Sequence, residues 1–71
     1  MICITINGEP KSLDPVSGQA LTIEVLLASI ETPPNYLAVE QNGEVVPRER
    51  HGDVLVRDGD EIELVTLVGG G

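Results

Sequence analysis

Two Asn-Gly pairs, Asn7-Gly8 and Asn42-Gly43, each separate two short stretches with the composition of β-strands. A two-residue type I′ turn needs positive φ at both central residues, and Asn-Gly is the pair best suited to it, so each pair predicts a β-hairpin. Ile2, Ile4 and Ile6 alternate with Cys3 and Thr5, which is the period of a half-buried strand. The predicted strands are Ile2–Ile6 with Glu9–Leu13, and Tyr36–Gln41 with Glu44–Val46. Pro10 should lie at a strand start or on a free edge.

One stretch between the hairpins has helical periodicity. Its apolar residues fall on a single helical stripe, and they are Ile23, Leu26, Leu27 and Ile30. Thr22 is suited to the N-cap, and Leu21 and Leu26 occupy the two positions of a hydrophobic staple. Pro33-Pro34 excludes further helix. We therefore expect one amphipathic helix of about ten residues.

The chain closes with an apolar strand, residues 61–68, after a turn at Asp58-Gly59-Asp60. Residues 48–56, after Pro47, should be irregular with one brief strand or turn. The first and last strands are apolar enough to be central, and if they are parallel their connection runs through the helix. The predicted fold is α+β, a mixed sheet of four to five strands packed on one main helix, as in a ubiquitin-like β-grasp. Residues 1–68 would form this domain and residues 69–71 a flexible glycine tail.

Length and charge limit the function classes. A chain of 71 residues without Trp or Phe is one domain with a thin, aliphatic core. The net charge of -8 disfavours nucleic acid and anionic membranes. It is compatible with basic protein partners, although solubility alone would also explain it. We see no signal peptide and no apolar run long enough to span a membrane, and we expect a cytoplasmic protein.

The sequence offers no conventional catalytic constellation. His51 is expected to be a surface histidine and Cys3, the only cysteine, a small strand residue. Cys3 and His51 could meet only through the fold, and no internal disulfide or thiolate zinc cluster can form. Glu61 and Glu63 share a strand face, where solvation explains them better than acid–base chemistry. No calcium loop or phosphate-binding glycine loop is present, so we predict no catalytic residue and no metal site.

Two features remain unusual, and the first is the closing run Gly69-Gly70-Gly71. Glycine lacks Cβ, so a glycine tail can thread a narrow channel and present its terminal carboxylate there. The second is the outer side of the last strand. If Ile62 and Leu64 face the core, the opposite side carries Glu61, Glu63, Val65 and Leu67. Exposed apolar residues beside a tail would form a docking patch, unless another part of the domain covers them.

The order and spacing of several motifs resemble the small sulfur carrier proteins of the ThiS type, used in thiamine (thiazole) biosynthesis. The match covers nearly the whole chain. Its parts are Ile4-Thr5-Ile6-Asn7-Gly8-Glu9, Thr22-Ile23-Glu24-Val25-Leu26-Leu27, Leu37-Ala38-Val39-Glu40-Gln41-Asn42-Gly43, Val46-Pro47-Arg48-Glu49, Asp58-Gly59-Asp60-Glu61-Ile62 and Gly70-Gly71. The chain departs from the family in two places. His51 stands where members often carry Trp, and the approach to the helix, residues 18–22, is slightly long.

The resemblance implies a carrier that is a co-substrate and not an enzyme. A ThiF-like, E1-type adenylyltransferase would use ATP to adenylylate the Gly71 carboxylate, and the carrier itself would bind no cofactor. A cysteine desulfurase system would then supply sulfur, leaving a thiocarboxylate on Gly71 for a ThiG-like thiazole synthase. Gly69 and Gly70 would keep the tail narrow, while Val65 and Leu67 would dock and Glu61 and Glu63 would guide approach.

Three other functions are compatible with the same sequence features. A sulfur carrier for molybdopterin or tungstopterin synthesis would have the same terminus and another acceptor. A ubiquitin-like modifier would be joined through Gly71 to a lysine. A plain β-grasp interaction module would have no reactive end.

Overall fold

A computed structural model describes residues 1–15, 17–30, 32 and 36–66, with Leu37 described by its main chain alone. The elements are β1 (Ile2–Ile6), β2 (Glu9–Leu13), α1 (Ile23–Ser29), β3 (Tyr36–Gln41), β4 (Glu44–Val46), a 3-10 helix (Arg48–Arg50) and β5 (Glu61–Thr66). The strands form one mixed sheet in the order β2-β1-β5-β3-β4. The predicted β-grasp layout, a mixed sheet with one helix, is confirmed.

Both Asn-Gly pairs form the predicted tight turns. The φ angles are 52° at Asn7 and 83° at Gly8, and they are 53° at Asn42 and 85° at Gly43. Positive φ at both central positions is the type I′ geometry, whose twist matches that of the flanking strands. Ile6 consequently pairs with Glu9, and Gln41 pairs with Glu44. Pro10 lies in β2, an edge strand of the sheet, as its missing N–H requires.

Hydrogen bonds from neighbouring residues hold the start of α1. A helix leaves its first N–H groups without intrahelical partners. Here Thr22 Oγ1 accepts from the Val25 N–H at 3.2 Å, and the carbonyls of Val54 and His51 accept from Ile23 at 3.0 Å and from Glu24 at 2.9 Å. The Thr22 carbonyl accepts the first intrahelical bond, from the Leu26 N–H at 2.9 Å. The predicted N-cap is confirmed, and the segment after the 3-10 helix is fastened to the helix start.

The helix is shorter than the ten residues expected, because it ends at Ser29. Ile30 is already extended, with φ of -119 and ψ of 168. The hydroxyls of Ser29 and Thr32 donate to the carbonyls of Leu26 and Leu27, both at 2.8 Å. Short hydroxyl side chains thus satisfy carbonyls that another helical turn would have used. Pro33-Pro34, predicted to exclude further helix, lies outside the described residues.

The core lies between α1 and one face of the sheet. Its buried apolar residues are Ile4, Ile23, Leu26, Val39, Val46, Val56, Ile62 and Leu64. β5 occupies the centre of the sheet, parallel to β1 and antiparallel to β3. The expectation of a parallel first and last strand joined through the helix is therefore confirmed. The predicted strand ran to residue 68, and its last two residues lie outside the described part of the chain.

The prediction that His51 is a surface residue was wrong. The side chain is buried, with 7% of the residue exposed, and its Nε2 donates to the Val46 carbonyl at 3.1 Å. Its main-chain N–H donates to Arg48, and its carbonyl accepts from Glu24. His51 thereby joins the end of β4 to the start of α1. The flanking sequence gives no indication that His51 is buried, because its neighbours Arg50 and Gly52 are exposed.

Candidate functional site

The side of β5 that faces away from α1 carries the predicted docking residues. Along β5 the buried residues Ile62 and Leu64 alternate with the exposed residues Glu61, Glu63 and Val65. The alternation places the latter three on the sheet face opposite the core, here called the outer face. Val65 is 36% exposed, so no described part of the domain covers it completely. The alternative, that this face is buried by another part of the domain, does not hold for these three residues.

Neighbouring strands add further residues to the outer face. Ala38 of β3 pairs with Val65, Glu40 pairs with both Glu63 and Val45, and Thr5 of β1 pairs with Glu61. Val45 is 61% exposed. Glu40 and Glu63 therefore stand directly opposite each other, and like charges in that position destabilise a sheet. The outer face thus combines three carboxylates with exposed Val65 on the central strand β5 and exposed Val45 on the edge strand β4.

The carboxylates of the outer face belong to no ion pair within the part of the chain that the structure describes. Among the described residues, the ion pairs are those of Met1 with Asp14 and of Arg50 with Asp53. Neither pair involves Glu40, Glu61 or Glu63. Glu40, Glu61 and Glu63 therefore make this face acidic.

The end of β5 is braced by the residues that open β3. Thr66, the last described residue, pairs with Tyr36. The Arg48 guanidinium lies over the Tyr36 ring, 4.5 Å from its centroid, and donates to the Tyr36 hydroxyl and carbonyl oxygens, both at 3.2 Å. A cation held over an aromatic ring is attracted by the ring's negative face. Arg48, from the Pro47-Arg48-Glu49 run, thus stabilises the strand end from which the tail continues.

A second network fixes the beginning of β5. The Asp60 carboxylate accepts hydrogen bonds from the Arg57 main-chain N–H at 2.9 Å, from Gln41 Nε2 at 2.8 Å and from Asn42 Nδ2 at 3.1 Å. Partial burial alone would raise the pKa of Asp60. The three hydrogen bonds, helped by the Arg57 charge, outweigh it and hold that pKa below its usual 3.8. The turn into β5 is therefore stabilised by an ionised carboxylate.

Cys3 and His51, the two candidates for nucleophilic chemistry, occupy different environments. Cys3 lies in β1 as expected, but its side chain is exposed, with Sγ 3.8 Å from Ser12 Oγ. His51 is enclosed beside Val46 on the helix side. Within the described part of the chain, no cluster of three potential metal ligands occurs. None of the helices described there is long and apolar enough to cross a membrane.

The predicted reactive end and one predicted docking residue cannot be placed. Gly69, Gly70, Gly71 and Leu67 lie outside the described residues, and their roles stay predictions. Sequence reasoning missed Glu40 and Val45, which the sheet brings beside Glu63. Their alternation with the apolar residues Val39 and Val46 marked them as outward-facing. Only the pairing of β3 with β5, which no local pattern specifies, brings them onto the outer face beside Glu63.

Comparison with known proteins agrees with this arrangement. The sequence model of the ThiS family matches residues 4–71. The sulfur carrier protein ThiS of Bacillus subtilis is 44% identical over 50 residues, which are 70% of this chain and 76% of that protein. The crystal structure of the thiamine biosynthesis protein ThiS from Geobacter metallireducens superposes with a TM-score of 0.78 at 35% identity, covering 99% of this chain and all of that one.

Larger proteins also contain a matching segment. A thiazole synthase of Paramagnetospirillum magneticum is 37% identical over 68 residues, which are 96% of this chain. The chain spans only about a fifth of the length of the thiazole synthases it matches.

Proposed function

The chain belongs to the ThiS family, and from this premise we propose that it is a sulfur carrier of thiamine biosynthesis, acting as a protein co-substrate. The observation that carries the proposal is the family match over residues 4–71, which includes the terminal glycines. The kinship with a protein named as a sulfur carrier supports it. A carrier needs a stable body and a reactive end, and the catalytic groups then belong to its partners.

The proposed chemistry takes place on Gly71. Its carboxylate is a poor sulfur acceptor because oxide would have to leave. In the active site of a ThiF-like activating enzyme, that carboxylate therefore attacks the α-phosphate of ATP. The acyl-adenylate forms and pyrophosphate is released. The terminal sulfur of a persulfide from a cysteine desulfurase system attacks the acyl carbon, and AMP leaves. A thiol then attacks the sulfur of the desulfurase cysteine in the acyl disulfide, a new disulfide forms, and the thiocarboxylate remains on Gly71.

The outer face is the proposed docking surface for these partners. Val65 and Val45 offer exposed apolar area, and Glu40, Glu61 and Glu63 add negative charge to the same face. A basic partner surface would relieve the repulsion between Glu40 and Glu63 and accelerate encounter. Since β5 runs through this face and leads directly into the tail, docking there would also direct the tail toward the partner's active site.

The proposed acceptor of the sulfur is a thiazole synthase. Its support is the thiazole synthase of Paramagnetospirillum magneticum, which contains a segment similar to 96% of this chain. Joining two activities in one polypeptide raises their effective concentration, which benefits steps that follow one another. This observation favours the thiazole pathway over molybdopterin or tungstopterin synthesis, for which the same terminal chemistry would serve.

Substitution of Gly70 tests the reactive tail. Gly70→Val places a β-branched side chain next to the reacting residue, and it should lower the rate of ATP–pyrophosphate exchange with a ThiF-like enzyme by about 100-fold. Folding should be unchanged by circular dichroism, because residue 70 comes four positions after Thr66, the last described residue of β5. Gly52→Val is the matched control, since it adds the same side chain at a glycine outside the glycine tail, where an added Cβ would lie 3.4 Å from Glu24 Oε2. Normal exchange by Gly70→Val would contradict the proposed threading.

Truncation of Val65 and Leu67 tests the docking patch. The double variant Val65→Ala/Leu67→Ala should weaken binding to the activating enzyme, measured by titration calorimetry, because apolar contact area is lost. Leu55→Ala is the matched control, since Leu55 is 44% exposed and lies outside the outer face. Equal affinity of the double variant and the wild type would contradict docking through this patch.

Two further experiments separate the remaining alternatives. A ubiquitin-like modifier would give a ladder of larger species on immunoblots of cell extract, whereas a carrier gives one band. A residue appended after Gly71 displaces the carboxylate, so it should abolish sulfur transfer by a carrier and be harmless to a plain interaction module.

A further inference from the structure

The side chain of Asn7 continues the sheet where the main chain of β1 leaves it. Along the parallel pair of β1 and β5, the Thr5 N–H donates to Asp60 at 3.1 Å and the Asn7 N–H donates to Ile62 at 2.9 Å. The chain then turns away at Asn7, with φ of 52. In a regular parallel ladder the next N–H of β5, that of Leu64, would bond to the Asn7 carbonyl. Here Asn7 Oδ1 accepts it instead, at 2.8 Å.

This hydrogen bond is close to the start of the tail. Leu64 is buried, and the last described residue, Thr66, follows two positions later. On the other side of β5, the pairing with β3 shifts register between Tyr36 and Ala38. The ladder on the β3 side is therefore irregular near the tail, and the bond from Leu64 to Asn7 supplies the attachment on the β1 side.

We propose that Asn7 is a positioning residue for the carrier reaction, because its side chain holds the last described part of β5, which precedes the tail in the sequence. The inference rests on the proposed function, in which the tail reaches into a partner's active site. Leu67, Val68 and the three tail residues 69–71 follow Thr66. Fully extended, these five residues span about 17 Å at about 3.3 Å per residue. A displacement of Thr66 by several ångströms would therefore be a considerable part of the distance over which Gly71 can extend.

Loss of the Asn7 side chain should raise KM for the carrier and leave kcat unchanged. Without the acceptor, the end of β5 frays in the free protein, and the activating enzyme must order it again on binding. Once the tail is bound, Gly71 occupies the same place in either protein. A net hydrogen bond of ordinary strength corresponds to an increase in KM of about 3- to 10-fold.

Three variants separate positioning from turn formation and stability. Asn7→Gly keeps a residue suited to positive φ and removes the acceptor. Asn7→Asp tolerates the same φ and retains an acceptor for Leu64, so it should restore KM. Asn42→Gly is the matched control, because Asn42 has φ of 53 and its Oδ1 accepts from Glu61 at 2.9 Å, at the opposite end of β5. It should lower thermal stability without changing KM.

Pyrophosphate release by a ThiF-like enzyme, at a temperature where all variants are folded, gives KM and kcat. An increase in KM for Asn7→Gly alone supports the proposal. Equal increases for Asn7→Gly and Asn42→Gly, or no rescue by Asn7→Asp, would overturn it.

Amide hydrogen exchange of the free protein tests the attachment of Leu64 to Asn7 without the activating enzyme. In Asn7→Gly, exchange at Leu64 should accelerate by about tenfold or more, while Ile62 stays protected. Unchanged protection of Leu64 would overturn the positioning role even if the wild type is adenylylated. Conversely, a wild type that releases no pyrophosphate contradicts the proposed function and not the attachment of Leu64 to Asn7.

Discussion

Replacement of Glu63 by Gln should stabilise the fold and weaken association with a basic partner. Glu63 pairs directly with Glu40 across β5 and β3, and neither belongs to an ion pair among the described residues. Gln has nearly the same size and shape as Glu, so Glu63→Gln removes one charge with little change in packing.

The expected gain follows from the geometry of the pair. Facing residues of an antiparallel pair have Cβ atoms about 5 Å apart. Two unit charges about 5 Å apart repel by about 0.8 kcal/mol in water. At about 0.1 M salt the Debye length is about 10 Å, which reduces the repulsion to about 0.5 kcal/mol. A gain of this size raises the Tm of such a small domain by about 2–4 °C.

Calorimetry at low and high ionic strength measures this gain, which should shrink as salt is added. Glu49→Gln is the control, since it changes net charge equally at an exposed position between Arg48 and Arg50. It should not raise Tm. Stopped-flow association with the activating enzyme should be slower for Glu63→Gln at low salt. An unchanged or lower Tm for Glu63→Gln, or an equal increase for Glu49→Gln, would refute the reasoning.

Two further predictions concern stability. Asp60→Asn should lower the free energy of unfolding by about 1–2 kcal/mol at neutral pH, because hydrogen bonds to an ionised carboxylate are lost. Since the folded-state pKa of Asp60 lies below its usual 3.8, its contribution is complete above that pH and is lost as pH falls through the folded value, so denaturant unfolding of the two proteins should converge in acid. A constant difference down to the lowest pH would contradict this sign. Thr22→Ala should cost about 1 kcal/mol in the same assay because the Val25 N–H loses its cap, whereas Thr22→Ser should retain most of it.

Elements with local signals could be predicted from the sequence. The Asn-Gly turns, the strands beside them and the Thr22 N-cap each depend on residues close together in the chain, and the structure confirms them. The alternation along β5 likewise identified Ile62 and Leu64 as core residues. These features follow from backbone preferences and from the periods of helix and strand.

Features set by contacts between distant residues could not be predicted. Asn7 was interpreted as a turn residue, and nothing near it indicates that its side chain also bonds to Leu64. His51 is buried because the segment that contains it folds over the start of α1. The facing pair of Glu40 and Glu63 depends on the register between β3 and β5, which hydrophobic patterning leaves open when both strands alternate.

Intact mass spectrometry after incubation with ATP, a ThiF-like enzyme and a cysteine desulfurase with cysteine tests the central claim most directly. The expected result is a gain in mass that matches exchange of one oxygen for one sulfur, located at Gly71 by fragmentation and retained in Cys3→Ser. An unchanged mass, or addition of a whole sulfur atom at Cys3, would contradict the claim that the terminal carboxylate carries the sulfur.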